Sequence, residues 1–339
     1  MPGNKICSQA LKFYNEWRKY MVVTKLKKGF KMKGFGVLIV VIALAVVFSI
    51  ANSSFLLPSN LLIIIRMASE LGIIAAGVTL LMIVGEFDLS VGSIYALSPM
   101  VTAILYSKLN VPMILAVIVG LMLALVLGFI NGFITTKAGI PSFITTLGAM
   151  MIYRALVLVL AGGMPIKIRS HALISQVIGG NIGGVFPAAI IWFLFFIGIS
   201  YYILEYTSFG NKMCATGGNK KAAIAVGINT TMVKITTFMF TSFLAAFAGY
   251  VQAFRLGSAA PLNGRGFELA AIASSVIGGT SLLGGVGSII GTAFGAIITG
   301  MIRNGIVLLG VSVYWQDGFL GVIVIVAVII NMFISKRRR

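Results

Sequence analysis

Carboxylates are the scarcest chemistry in this chain, and their positions narrow what it can do. Seven acids stand among 339 residues: Glu16, Glu70, Glu86, Asp88, Glu205, Glu268 and Asp317. A carboxylate inside an apolar segment is costly, so each one found there marks a candidate functional position. Glu86 and Asp88 fall in VGEFDLSVG (84–92), and Glu268 in NGRGFELAAIASSVIGGTS (263–281). Asp88 and Ser90 offer hydrogen bonds suited to solute hydroxyls. The competing reading is a helix cap, because Asp accepts backbone N–H bonds well at a helix start. Glu268 follows Arg265 by three residues and either pairs with it as a gate or meets the solute. Glu70 and Arg66, four apart on one helix face, read as an intrahelical ion pair.

A second cluster, FGNKMCATGGNKKAAIAVGINTTMVKI (209–235), carries a different signal. Gly217-Gly218 and Gly227 bracket a short helix near 219–226, with Asn219 placed to cap it. Lys220 and Lys221 stand beside Ala222, Ala223, Ile224, Ala225 and Val226. So short a helix is unstable alone. It is read as a docking helix for a partner, against the plainer alternative of a solvated linker.

Several chemistries are disfavoured. No GxxxxGK[ST] is present to cradle ATP phosphates. The single histidine, His171, leaves a His-ligated metal or a Ser–His hydrolase little to work with. Cys7 and Cys214 form no CxxC, and both fall in segments expected in the cytoplasm, where a disulfide is not expected.

The elements that must position these residues are membrane helices. The chain is 59% hydrophobic and 10% charged, with a mean hydropathy of +1.07. It has too few polar groups to cover a water-facing surface. Ten spans are expected at 35–57, 61–84, 92–107, 112–136, 140–161, 187–204, 233–254, 266–282, 287–302 and 318–334, the eighth and ninth short and rich in glycine. The net charge of +19 would suggest nucleic acid in a soluble protein. Here it is topological. With both termini inside, the cytoplasm holds the basic residues of 1–33, Lys137, Lys212, Lys220, Lys221, Lys234 and Lys336 to Arg339. Outside stand Lys108, Lys167, Arg169, Arg255, Arg265 and Arg303. That bias follows the positive-inside rule. The organisation is a basic cytoplasmic segment 1–34, a transmembrane domain 35–335 and a basic tail 336–339. The long basic start and long first apolar run do not fit a cleaved signal peptide.

A faint repeat links the two polar turns. Phe87-Asp88-Leu89, then Asn131-Gly132, is echoed by Phe267-Glu268-Leu269, then Asn304-Gly305. The first set faces the cytoplasm and the second the outside, as in an inverted-topology repeat.

Four stretches in order carry a resemblance. GEFDLSVGS (85–93) is similar to the G-x-[IF]-D-L-S-V-G signature of ribose-, xylose- and arabinose-type ABC sugar permeases. ATGGNKKAAIAVGIN (215–229) resembles their cytoplasmic loop, A-x-G-G-N-x-x-A-A-x-x-x-G-I-N. LGSAAPLNGRGFELAAIASSVIGGTSLLGGVGS (256–288) and RNGIVLLGVSVYWQ (303–316) resemble a third and a fourth signature. Glu86-Phe87 replaces the commoner Gly-Ile, Arg303 stands where Asn is usual, and Ala270 follows Glu-Leu; these departures bear on the solute.

The resemblance implies an all-α permease of the vitamin B12-importer kind, with ten spans per chain. It implies two permease chains, two ATP-binding subunits carrying ATP and Mg²⁺, and an extracytoplasmic solute-binding protein. No cofactor or metal is expected on this chain, and no enzyme activity. Phe87, Asp88, Ser90, Asn131, Phe267, Glu268 and Asn304 are the expected pathway and gate residues, with the two phenylalanines as apolar gates. Gly217, Gly218, Asn219, Lys220, Ala222, Ala223, Gly227, Ile228 and Asn229 are the expected coupling residues. The alternative function is a stand-alone secondary transporter or facilitator of a small solute.

Overall fold

The computed structural model describes residues 35–168 and 173–312, with Trp315, Gln316, Gly318, Phe319, Gly321, Val322, Ile325 and Ile329. The expected 1–34 segment, His171, most of the 318–334 span and the 336–339 tail lie outside the described residues.

The chain forms helices α1 (Phe35–Ala51), α2 (Pro58–Ile83), α3 (Val91–Ser107), α4 (Met113–Lys137), α5 (Ser142–Ala161), α6 (Leu173–Gly179), α7 (Ala188–Tyr206), α8 (Ser208–Gly218), α9 (Lys220–Ala225), α10 (Thr230–Leu256), α11 (Phe267–Ile277) and α12 (Ile289–Leu308). Six of them, α2, α4, α5, α7, α10 and α12, are long and apolar enough to cross a bilayer, while α1, α3 and α11 are apolar but shorter. Local chemistry sets their ends. Pro58 opens α2, and Pro112, Pro141 and Pro187 precede α4, α5 and α7. A ring-locked φ suits a helix start, where the missing N–H costs nothing. Gly162 and Gly257, both left-handed, end α5 and α10.

The helix α2 runs through the centre, buried at every residue from Ala68 to Val84. On α4 the small residues Ala116, Gly120, Ala124, Gly128 and Gly132 recur every four positions, all buried. A Cβ on Gly128 would meet the α10 backbone at Met239, and one on Gly132 would meet Ile235. Small residues at this spacing let membrane helices touch backbone to backbone, where no hydrophobic force drives packing. The opposite face of α4 exposes Ile118, Met122, Val126, Phe129 and Phe133, as a lipid-facing surface requires.

The bundle has two distinct ends. At one, β1 (Ile166–Lys167) pairs antiparallel with β2 (Ser258–Ala259), and Ser107 Oγ donates to Lys167 O at 2.9 Å. At the other, Ile83 O at the end of α2 accepts from Gly285 N at 2.8 Å, and Gly85, Gly217 and Gly284 crowd around that bond. We call these the hairpin end and the glycine end.

Candidate functional site

Both polar turns lead into helices that begin inside the bundle. After α2 the chain turns back alongside α5. Phe87 N donates to Ser142 Oγ at 3.1 Å, and Ser93 Oγ donates to Met150 O at 2.9 Å. Ser142 and Met150 are eight residues apart on α5, so this segment climbs about 12 Å of helix rise before α3 is under way. From there α3 runs to the hairpin end, where Ser107 bonds Lys167. The opposite approach comes from the hairpin end: after β2 the chain enters α11, which runs toward the glycine end. The two helix starts meet. The space a Cβ on Gly92 would need is taken by Glu268 Oε2 and by Gly264 O, and the Tyr95 and Phe267 rings lie 5.2 Å apart.

Asp88 belongs to the first turn. It is fully buried, and its Oδ1 accepts from Ser90 N at 2.8 Å and from Ser90 Oγ at 2.6 Å. Ser90, not Asp88, occupies the N-cap position of α3; Asp88 acts one step earlier, in a local side-chain turn. Asn131 continues the chain of bonds. Its Nδ2 donates to Ser90 Oγ at 2.8 Å, and its Oδ1 accepts from Tyr153 Oη at 2.9 Å. Asp88, Ser90 and Asn131 are all buried within the chain in this conformation. They join α3, α4 and α5 through a satisfied network, except for Asp88 Oδ2, which has no partner.

Glu268 is set differently. Its Oε1 accepts from Gly266 N at 3.1 Å, while Oε2 has no hydrogen-bond partner. The carboxylate sits in the first turn of α11 and against the first turn of α3. Both helix starts are positive ends, and they favour an acid there. No Glu268–Arg265 ion pair forms, so that expected gate is absent from this conformation. Phe87, Phe267 and Glu268 are half-buried. Arg303 of α12 lies over the Phe267 ring, 5.3 Å from its centroid. Asn304, the neighbour of Arg303, is elsewhere engaged: its Nδ2 donates to Asn60 Oδ1 at 2.9 Å, fastening α12 to α2.

Two groups that sequence reasoning did not single out organise this region. Arg154 of α5 donates to Pro261 O at 2.8 Å, Asn263 O at 2.9 Å and Gly92 O at 2.9 Å. One guanidinium thus clamps the approach to α11 onto the start of α3. A cation inside an expected span was the available signal. The second is Arg255, which takes the place expected for Arg66: its Nε and Nη2 both lie 2.9 Å from Glu70 Oε1. Arg66 instead donates to Asn181 Oδ1 at 3.3 Å. A planar guanidinium from a neighbouring helix engages the buried carboxylate with two N–H groups, which a residue on the same helix does not do here.

The short helix expected near 219–226 is present as α9. Asn219 Oδ1 accepts from Ala222 N at 3.0 Å at its start, and Gly227, at φ +83°, follows its end. Asn229 caps α10 by accepting from Met232 N at 3.0 Å. Ala223 is buried, Ile228 is half-buried, and Gly218, Asn219, Lys220, Ala222, Gly227 and Asn229 are exposed. Ile224 and Val226 are 53% and 76% exposed. Below α9, a Cβ on Gly217 would collide with Ile83 O, and Gly285 packs on Gly218. The end of α8, which leads straight into α9, therefore rests directly on the end of α2 and on the loop that leads out of α11.

These features define a multi-pass membrane protein with two helix starts meeting inside the bundle and a small helix presented at one end. Comparison with known sequences supplies the family. The family described as branched-chain amino acid transport system / permease component matches residues 60–328. The ribose import permease protein RbsC of Bacillus subtilis is 40% identical over 301 residues, covering 88% of this chain and 93% of that one. The D-allose transport system permease protein AlsC of Escherichia coli is 36% identical over 298 residues, covering 88% and 91%. The xylose/arabinose import permease protein XylH of Sulfolobus acidocaldarius is 30% identical over 309 residues, covering 89% and 85%. The chain belongs to this permease family and is a membrane transport protein. No solved structure matches it significantly.

Proposed function

We propose that this chain is the permease subunit of a binding-protein-dependent ABC importer for a monosaccharide or a similar polyhydroxylated solute. The observation that carries the reading is α9. It is a six-residue helix that exposes Ile224, with Val226 exposed just past its end, and it follows directly on Gly217 and Gly218, which touch the end of α2 and the loop leading out of α11. A helix of this length gains order by docking, and its seat gives a docked partner a mechanical path into the bundle. The related permeases for ribose, D-allose and xylose/arabinose support the solute class.

On this reading the chain spans the membrane ten times in a vitamin B12-importer-like arrangement, with both termini, the 1–34 segment and the glycine end in the cytoplasm. A second permease chain completes the pathway. ATP and Mg²⁺ bind a partner ATPase, and an extracytoplasmic protein delivers the solute. Closure of the ATPases pushes α9, and the Gly217–Gly285 seat passes the movement to the 84–93 segment and to α11. Phe87 and Phe267 act as apolar gates. Glu268, with one oxygen unengaged, meets solute hydroxyls, while Asp88, Ser90, Asn131 and Asn304 hold the framework of the path.

The test is co-purification with an ATP-binding cassette subunit from the native membrane, with ATPase activity assayed. Replacing Ile224 and Val226 with Glu is expected to abolish recovery of that subunit while the permease stays monodisperse, since both side chains already face solvent. Recovery of this chain alone, with ATP-independent solute flux in liposomes, would overturn the reading in favour of a secondary transporter.

A further inference from the structure

We propose that the glycine end carries a binding site for an anionic phosphate group, which the phosphodiester of a membrane lipid would supply. A cavity of about 210 Å³ opens there, bounded by Glu86, Thr135, Thr136, Lys220, Thr231 and Lys234. It is far larger than the roughly 30 Å³ share of one water. Its chemistry is lopsided: two ammonium groups and several hydroxyls face a single carboxylate.

Thr135 is 7% exposed, yet its Oγ1 has no hydrogen-bond partner. A buried hydroxyl left unpaired at a cavity wall is a group waiting for an acceptor. Lys234 is held by Glu86 in an ion pair whose two side chains are each 12% exposed. An entering phosphate would share or displace that carboxylate. The 27-residue helix α10 begins at Thr230 in the cavity wall and adds its positive end. The cavity also borders lipid-facing surface: Ile140 lines it, and Phe133, Phe143 and Ile144 beside it are exposed. Basic pockets between membrane helices at a bilayer boundary suit lipid headgroups. Lys220 is the first residue of α9, so an occupied site would tie the docking helix to the lipid phase.

The full chain in detergent is titrated with phosphatidylglycerol, and retained lipid is counted by native mass spectrometry. Lys234→Gln is expected to weaken retention at least tenfold and Thr135→Val severalfold. Glu86→Gln, which removes the competing carboxylate, is expected to strengthen it. Lys212→Gln, an exposed charge outside the cavity, is expected to leave it unchanged. Lys234→Gln and Glu86→Gln break the same ion pair, so general destabilisation would move them together; opposite shifts identify a site. Inorganic phosphate tests the source. If it shows the same variant pattern and phosphatidylglycerol does not, the site takes free phosphate. If neither probe distinguishes Lys234→Gln from Lys212→Gln, the cavity holds only a buried ion pair and the proposal fails.

Discussion

Replacing Arg154 with Met should release the approach to α11 without unfolding the bundle. The guanidinium donates to three carbonyls, at Pro261, Asn263 and Gly92, all within 2.9 Å. Hydrogen bonds from a charged donor contribute about 1.5–3 kcal/mol each. The three share one side chain and are not additive, so a combined loss of roughly 3–4 kcal/mol is expected. Methionine keeps most of the apolar stem, which confines the loss to the head group. Two of the three acceptors lie in one segment, 258–266, and that segment should open two to three orders of magnitude more often, at about 1.4 kcal/mol per tenfold. Hydrogen exchange on the purified chain reads this directly. Protection is expected to fall over 258–266 and at the start of α3, and to stay near wild type in the 68–84 core of α2. Arg154→Lys should recover only part of it, because a single ammonium does not reproduce the planar fork. Uniform loss of protection across the bundle would refute the clamp and make Arg154 an ordinary packing residue.

Gly217→Ala places a methyl on Ile83 O and should cost about 1–3 kcal/mol, whereas Gly218→Ala, whose nearest neighbour is Gly285 Cα at 3.8 Å, should be neutral; thermal stability in detergent separates them. Glu70→Gln leaves Arg255 without its buried partner and should cost about 3–5 kcal/mol, while Arg66→Gln, which breaks one long bond to Asn181, should stay within about 0.5 kcal/mol; urea denaturation of both variants measures the contrast. Glu268→Gln is expected to reduce solute uptake by reconstituted complexes at least tenfold with little loss of stability, whereas Asp88→Asn is expected to lower stability first; equal uptake by Glu268→Gln and wild type would remove Glu268 from the pathway.

The membrane helices were legible because lipid demands long apolar runs, and glycine and proline punctuate them locally. Each of the nine spans expected between 35 and 302 holds a helix, α1–α5, α7 and α10–α12, but only six of these are long and apolar enough to cross a bilayer. The short helix at 219–226 was legible for the same local reason: its Asn219 cap and Gly227 stop lie within a few residues of it. What local pattern did not reveal was partnership across the bundle. Glu70 has a basic residue four positions away, and the helical spacing rule favours it; the actual partner, Arg255, is 185 residues distant. The depth of the 84–93 segment was hidden likewise, because Ser142, Met150 and Arg154 become its neighbours only once α5 is folded beside it. The repeated Phe-acid-Leu triplets are placed at two converging helix starts, yet their acids differ in setting. Asp88 closes a local turn with Ser90, and Glu268 lies against Gly92 of the other helix.

That difference bears on how the bundle can move. At the glycine end, Gly85, Gly217, Gly218, Gly284 and Gly285 bring the ends of α2 and α8 and the loop after α11 to backbone contact, with one backbone hydrogen bond, Gly285 N to Ile83 O, between the end of α2 and that loop. Side chains there would interlock and resist displacement; bare backbones slide or separate with little repacking. Inside the bundle the reverse holds. Arg154, Asn131 and Tyr153 tie the start of α3 and the approach to α11 to α4, α5 and each other through directional bonds. A displacement of α8 and α9 therefore meets a soft joint first and a stiff one second. A soft joint linked to a stiff pair of helix starts moves the pair as a unit, the rigid-body shift that the proposed importer function calls for.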